Sequence, residues 1–196
     1  MHHRLKFFLQ SLLLLTLLAG CSHKKELSPD ERVTQQSRCV VDGTEAPKWV
    51  CGLHRNTNYY AAVGSAPKSV LGFGFSRESA VAHARANLAR QVSLDIKTKI
   101  DRWLRSTGAA NDERAERVVE SVASETARIS MHDSQQIAIW QHPDQGTLYV
   151  LVKVPKKTVF DIAKKSAKSS FESDDARWQQ SQAHQALERL DRTFEE

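Results

Sequence analysis

Three cysteines carry the plainest chemistry in this 196-residue chain. Cys21 closes an opening in which Arg4 and Lys6 precede an apolar run from Phe7 to Ala19, with no acidic residue before Glu26. A basic start, a short apolar stretch and a small-residue end form an export signal. The run falls short of the roughly 20 apolar residues that a stable spanning helix needs. Its end, Leu17-Leu18-Ala19-Gly20-Cys21, has the lipobox pattern, in which the cysteine thiol takes a diacylglycerol, the chain is cut before it, and the freed amine takes a third acyl chain. Each buried methylene contributes about 0.8 kcal/mol, so three chains hold a protein on a membrane lastingly. Residue 22 is Ser rather than Asp. By resemblance to enterobacterial sorting signals, Ser22 directs the protein to the periplasm-facing leaflet of the outer membrane.

Cys39 and Cys51 then remain as an even pair outside the cytoplasm, where a disulfide is the expected state. Two free buried thiols are the alternative. A metal site lacks its ligands, because His54 is the only nearby imidazole and neither a CxxC nor an HxxxH spacing occurs. No metal or cofactor is expected.

The other reactive residues form near misses. Ser65-Ala66-Pro67-Lys68 has the Ser-x-x-Lys spacing of serine acyl-transferases, yet that motif needs a helical turn and Pro67 disfavours helix at Ala66. Gly72-Phe73-Gly74 lacks the third glycine of a dinucleotide loop. His83 and His132 have no recognisable nucleophile. Asp174-Asp175 reads as a helix start, where acids complement the dipole. Trp49, Tyr59, Tyr60 and Phe73 raise a glycan or peptide groove, against which ordinary burial stands as the plainer reading. The chain is therefore not expected to be an enzyme.

Composition allows one ordinary domain: 40% hydrophobic and 26% charged residues. Without residues 1–20 the chain carries 26 basic and 23 acidic residues, a formal +3. Neither the compartment nor a basic stripe with interleaved aromatics favours nucleic acid. Lys153, Lys156, Lys157, Lys164, Lys165 and Lys168 face only Asp161, a cluster that solvated helix faces explain.

The elements follow from the periodicities. Residues 22–46 are polar and aperiodic, and read with Cys21 as a tether. The folded part starts near Pro47, and Asn58 to Ser65 forms a first strand. Gly72 to Phe75 reads as a flexible turn, with Ser76 as helix N-cap. From Arg77 to Arg105, Val81, Ala84, Leu88, Val92, Ile96, Ile100 and Leu104 make one buried stripe on a long helix. Asn111 caps a second helix with Ala115, Val118, Val122 and Ile129 inward. Gln136 to Gln141 and Thr147 to Val154 form a hairpin lying between core and solvent. After Pro155, Thr158 and Asp161 resemble a capping box for a third helix that turns Val159, Ile162, Ala163 and Ala167 inward. A last helix from Ser173 has a seam of Trp178, Ala183, Ala186, Leu187, Leu190 and Phe194, which docks on the parent domain or on a partner. The expected fold is α+β: a small three-stranded sheet of one strand and a hairpin, covered by a long helix pair, with a C-terminal helix. The divisions are 1–20 signal peptide, 21–46 lipidated cysteine and tether, 47–170 domain and 171–196 C-terminal helix.

The order of lipobox, polar tether, Pro47-Lys48-Trp49, a strand ending in Val63-Gly64, the helix SRESAVAHARANLARQV and the strand LYVLVKVPK resembles the Lpp-twenty lipoprotein family over about residues 47 to 165. Ser79, Ala80, Ala84, Ala86 and Leu88 fall where that family has small residues and leucine. The segment Ala66 to Phe75 is longer than the family's usual turn. The resemblance implies an α+β domain on an outer-membrane lipoprotein without an established catalytic site, with some relatives tied to flagella. Two roles follow as expectations. One is a non-enzymatic envelope structural or assembly factor that meets protein partners through strand edges and the last helix. The other is a regulator of a peptidoglycan synthase or hydrolase, reached by a 25-residue tether spanning up to about 80 Å stretched and about 30 Å relaxed. The named partners are the membrane, through lipid, and an envelope protein of the flagellum or cell wall. The oligomeric state is left open.

Overall fold

A computed structural model of the chain describes residues 38–53, 57–107, 113–174 and 188–194. The chain divides into two units, residues 1–37 and 38–196, and all of the described residues belong to the second. That unit is α+β. A two-stranded ribbon, β1 (Val40–Val41) and β2 (Thr44–Glu45), precedes a 3-10 turn at Lys48–Cys51. Strand β3 (Tyr59–Ala66) leads to helices α1 (Phe73–Thr107) and α2 (Glu113–His132). The hairpin β4 (Gln135–Gln141) and β5 (Leu148–Pro155) leads to α3 (Lys156–Asp174), and residues 188–194 are helical.

The sheet is antiparallel in the order β3-β5-β4. β5 is the middle strand, because β3 pairs along its whole length, Tyr59 opposite Pro155 through Ala66 opposite Leu148. Residues opposite one another share a face. Tyr60, Ala62, Gly64 and Ala66 thus join Leu148, Val150, Val152 and Val154 on the helix-covered face, and all eight are buried. The other face carries Tyr59, Ala61, Val63, Tyr149, Leu151 and Lys153, and the 3-10 turn packs against β5.

Helix α1 buries Ser76, Ala80, Ala84, Leu88, Val92, Ile96, Ile100 and Leu104, a row with a step of four. A step of four advances about 400° at 3.6 residues per turn, so the buried line drifts by about 40° per step. The line that starts over β3 swings round to α2, which packs along α1. Ala80 takes the place expected for Val81, which is half-buried. Of the small residues shared with the family pattern, Ala80, Ala84 and Leu88 are buried, Ser79 is half-buried and Ala86 is exposed.

The close fit of helix to sheet rests on Gly64. A Cβ placed there would lie 2.1 Å from Ala84 N and 2.4 Å from Ala80 O, so the strand touches the helix backbone itself. Only a residue without a side chain permits that approach.

Other boundaries shift. Helix α1 starts at Phe73, so Phe73 to Phe75 form its first turn rather than a flexible link. Ser76 is not its N-cap: its backbone N–H donates to Gly72 O at 3.3 Å, and its hydroxyl is used by the preceding loop. Helix α3 starts at Lys156, whose N–H donates to Asn58 O at 2.9 Å, and Thr158 lies inside the first turn. Val159, Ala163 and Ala167 are buried, while Ile162 and Ile129 are half-buried; Ala115, Val122, Ala123 and Ala127 fill the core side of α2. The cap residue Asn111 and the seam residues Trp178, Ala183, Ala186 and Leu187 lie outside the described residues. Leu190 and Phe194 are buried against the domain. The Phe194 ring lies 5.2 Å from that of Phe160, and Lys164 pairs with Asp191 at 3.0 Å.

Residues 40–45, which read as the end of a tether, are instead the ribbon β1–β2. Cys39 and Cys51 are bonded, with Cα atoms 5.6 Å apart, and Ala46 N–H donates to Cys39 O at 2.9 Å. A staple across 12 residues contributes about 3 kcal/mol by the chain-entropy account. Urea unfolding of the Cys51→Ser chain is expected to lose about that stability relative to the oxidised parent, with no further loss on adding reductant.

Candidate functional site

The lipidation and sorting residues, Cys21 and Ser22, lie outside the described residues. Within the domain, the reactive side chains singled out in the sequence are kept apart or put to structural use. Ser65 and Ala66 are extended in β3, so the helical turn that a Ser-x-x-Lys site requires is missing, and the Lys68 side chain lies beside Gly146. His132 ends α2 and is exposed. Asp174 ends α3 instead of starting a helix. Tyr60 and Phe73 cannot share a groove. Tyr60 is buried and reaches Asp95 on α1, which at 1.5 Å rise per residue lies about 33 Å along the helix from Phe73, itself exposed.

The Tyr60 hydroxyl donates to Asp95 Oδ2. Burial first, and the Asp95 carboxylate second, push its ionisation well above the usual phenol range. This pair, with the edge-on contact of Tyr60 to Phe160 at 6.2 Å, anchors α3 and α1 to the start of β3. Four members of the lysine cluster have partners in the fold. Lys153 lies over Tyr59, Lys156 over Tyr60, and Lys157 and Lys164 pair with Asp161 and Asp191.

His142 is 1% exposed in the β4–β5 turn. Its Nδ1 accepts from the N–H groups of Asp144 and Gln145, both at 3.3 Å, so Nε2 carries the hydrogen and donates to Val41 O at 3.2 Å. The ring thereby fastens the ribbon to the hairpin turn. An open polar cleft of about 220 Å³ lies alongside, between Lys68, Gln141 and Asp144.

The two rims of the sheet differ. Along β3 the odd-numbered residues point their backbone groups outward, and side chains of α1 reach those of Val63 and Ser65. Asn87 Nδ2 donates to Val63 O at 2.7 Å. The His83 Nδ1 accepts from Ser65 N–H at 3.2 Å and lies 3.1 Å from Ser65 O. His83 thus caps the strand edge at Ser65. On β4 the bond from His142 N–H to Thr147 O, at 2.8 Å, sets the alternation, so the N–H and C=O of Ile139 and Gln141 face away from β5. No described residue bonds those groups from outside. The strand reads QQIAIWQ, without charge or proline, and Ile137 and Ile139 are 42% and 41% exposed. Natural edges are normally blunted by lysine or proline. Here only a bulge between Gln136 and Ala138 interrupts the rim.

A second exposed feature joins β3 to α1. Val70, Leu71, Phe73 and Phe75 are 103%, 71%, 57% and 50% exposed. The run VLGFGF between Pro67 and Ser76 could have disclosed it, since apolar residues in a connection have no core to enter.

Among the described residues no group of three or more His, Cys, Asp or Glu could hold a metal ion, and no helix is long and apolar enough to cross a membrane. The profile of the LPP20 lipoprotein family matches residues 47–155, more than half of the chain, from the 3-10 turn through the end of β5. A comparison with curated proteins returns no match.

Proposed function

The chain belongs to the LPP20 lipoprotein family, and from that premise we propose that it is a non-enzymatic, lipid-anchored protein of the outer membrane, facing the periplasm, that serves as a structural or assembly factor of the cell envelope. The observation that carries this reading is the open, uncharged rim of β4 opposite the capped rim of β3. An unpaired rim with exposed isoleucines adds a strand from another protein through main-chain hydrogen bonds, with alternate side chains giving selectivity. The disulfide supports a compartment outside the cytoplasm. The flagellar base is the assembly to which the flagella-associated members of the family point.

The test is a photo-reactive amino acid at position 139 of the full, lipidated chain, irradiated in intact envelopes, with mass spectrometry of the adducts. Flagellar basal-body or other structural envelope proteins are expected. Adducts dominated by a peptidoglycan synthase or hydrolase would replace the reading with that of a cell-wall regulator, and the absence of protein adducts would remove the rim from the account. In the same assay with the photo-reactive group at 137, Ile139→Lys is expected to remove most of the adduct. Its stability should stay within about 0.5 kcal/mol of the parent, since the side chain is partly exposed.

A further inference from the structure

We propose that the loop between β3 and α1 is a membrane-inserting wedge: Val70, Leu71, Phe73 and Phe75 enter the phospholipid leaflet that holds the anchor. The inference rests on the lipid-anchor reading of Cys21.

Four large apolar side chains within six residues stand out from the domain, and Leu71 and Val70 are more exposed than any others of their kind in the described residues. A contiguous exposed apolar patch marks a surface that meets another apolar phase. The loop is held in shape, as a wedge requires. Ser69 N–H donates to Ser76 Oγ at 2.9 Å, and Ser76 Oγ donates to Pro67 O at 3.1 Å. Leu71 N–H donates to Ser69 Oγ at 3.1 Å and Gly72 N–H to Ser69 O at 3.2 Å. Gly72 takes φ +96°, a backbone that the residues with side chains around it rarely adopt. The apolar tips are thus presented without any ordering left to do on insertion.

The path of the chain selects lipid as the occupant. The domain begins at Arg38, and Val41 in β1 is held by His142 in the β4–β5 turn. Gly146 of that turn lies against Lys68, in the loop that carries the patch. Ala66, Leu148 and Gln141 close the sheet at this same end. The described chain therefore begins at the pole that bears the wedge, the side on which the anchor segment joins it in sequence, and Val40, 55% exposed, stands there too. Lys68 and Arg77 flank the apolar tips, with Glu78 beside them, so insertion is chiefly apolar with modest attraction to anionic headgroups.

The experiment uses the full, lipidated chain in vesicles of phosphatidylethanolamine and phosphatidylglycerol. An environment-sensitive fluorescent amino acid is placed genetically at position 71, or at position 94 as control, since Leu94 is equally exposed near the middle of α1. The expected result is blue-shifted emission at 71 that lipid-borne quenchers reduce several-fold more than emission at 94. A lipidated chain whose probe at 71 stays in water overturns the wedge and leaves the anchor intact. A blue shift at 71 that persists without vesicles and ignores lipid quenchers assigns the patch to a protein or a second copy, and overturns the wedge as well. Intact mass measured on the same sample separates the two readings, for a chain without acyl mass overturns the anchor and the wedge together.

Discussion

Replacing Gly64 by valine is expected to cost more than about 3 kcal/mol, at or beyond the upper end of ordinary overpacking, and to lower the thermal midpoint by on the order of 10 °C. The reason is the nature of the neighbours. A Cβ at this position meets Ala84 N, Ala80 O and Ala84 Cα, all within 2.6 Å, and none of these is a side chain that can rotate away. The helix must back off the sheet, and the row from Ala80 through Leu88 separates from Val150 and Val152 together with it. Gly64→Ala should already show much of the loss. Gly74→Ala is the control, since nothing lies within 4 Å of its Cβ; within the first turns of α1 it should be neutral or gain about 0.5 kcal/mol. Equal midpoints for the Gly64 and Gly74 variants would mean that the helix and strand do not touch in solution.

Cys21→Ala is expected to abolish acylation altogether. Without the thiol there is no site for the diacylglycerol, so the cut before residue 21 does not follow and residues 1–20 remain on the chain. Intact mass should show the precursor with no lipid, where the parent shows the mature chain plus three acyl groups. Loss of chains each worth about 0.8 kcal/mol per buried methylene removes the lasting hold on the membrane. A variant of mature size that stays with the membrane would sink the assignment of Cys21.

Much of this fold was legible because its signals are local. The stripe of α1 is a repeat that burial alone explains, and in β5 strict alternation put Leu148, Val150, Val152 and Val154 on one face. Cys39 and Cys51 were an even pair in an exported chain, and they are bonded. What stayed hidden depends on partners distant in sequence. That β5 is central follows from β3, more than eighty positions earlier, choosing it over solvent. The spacing of three or four admits Val81 as readily as Ala80, and the close approach of Gly64 to Ala80 O is what sets Ala80 in the buried row. Nothing in the sequence around His83 and Asn87 discloses their use, which exists only once β3 lies beneath α1. Gly72 and Gly74 read as a turn in the sequence, and the helix starts at Phe73 because the loop ties Ser76 to Pro67 and Ser69. The exposure of Val70, Leu71, Phe73 and Phe75 is hidden for a related reason: it depends on the same hydrogen bonds of the loop.

The unequal rims of the sheet set a limit on growth. Side chains of α1 stand on the β3 rim at Val63 O and Ser65 N–H, while no described residue meets the outward groups of Ile139 and Gln141 on β4. A particle with one sticky seam can accept one guest strand, or close back to back with one twin, and the reaction then stops. Endless stacking needs two seams per unit. Asn87 and His83 therefore stand where a strand adding to β3 would have to pair, an obstacle to growth of the sheet from that rim.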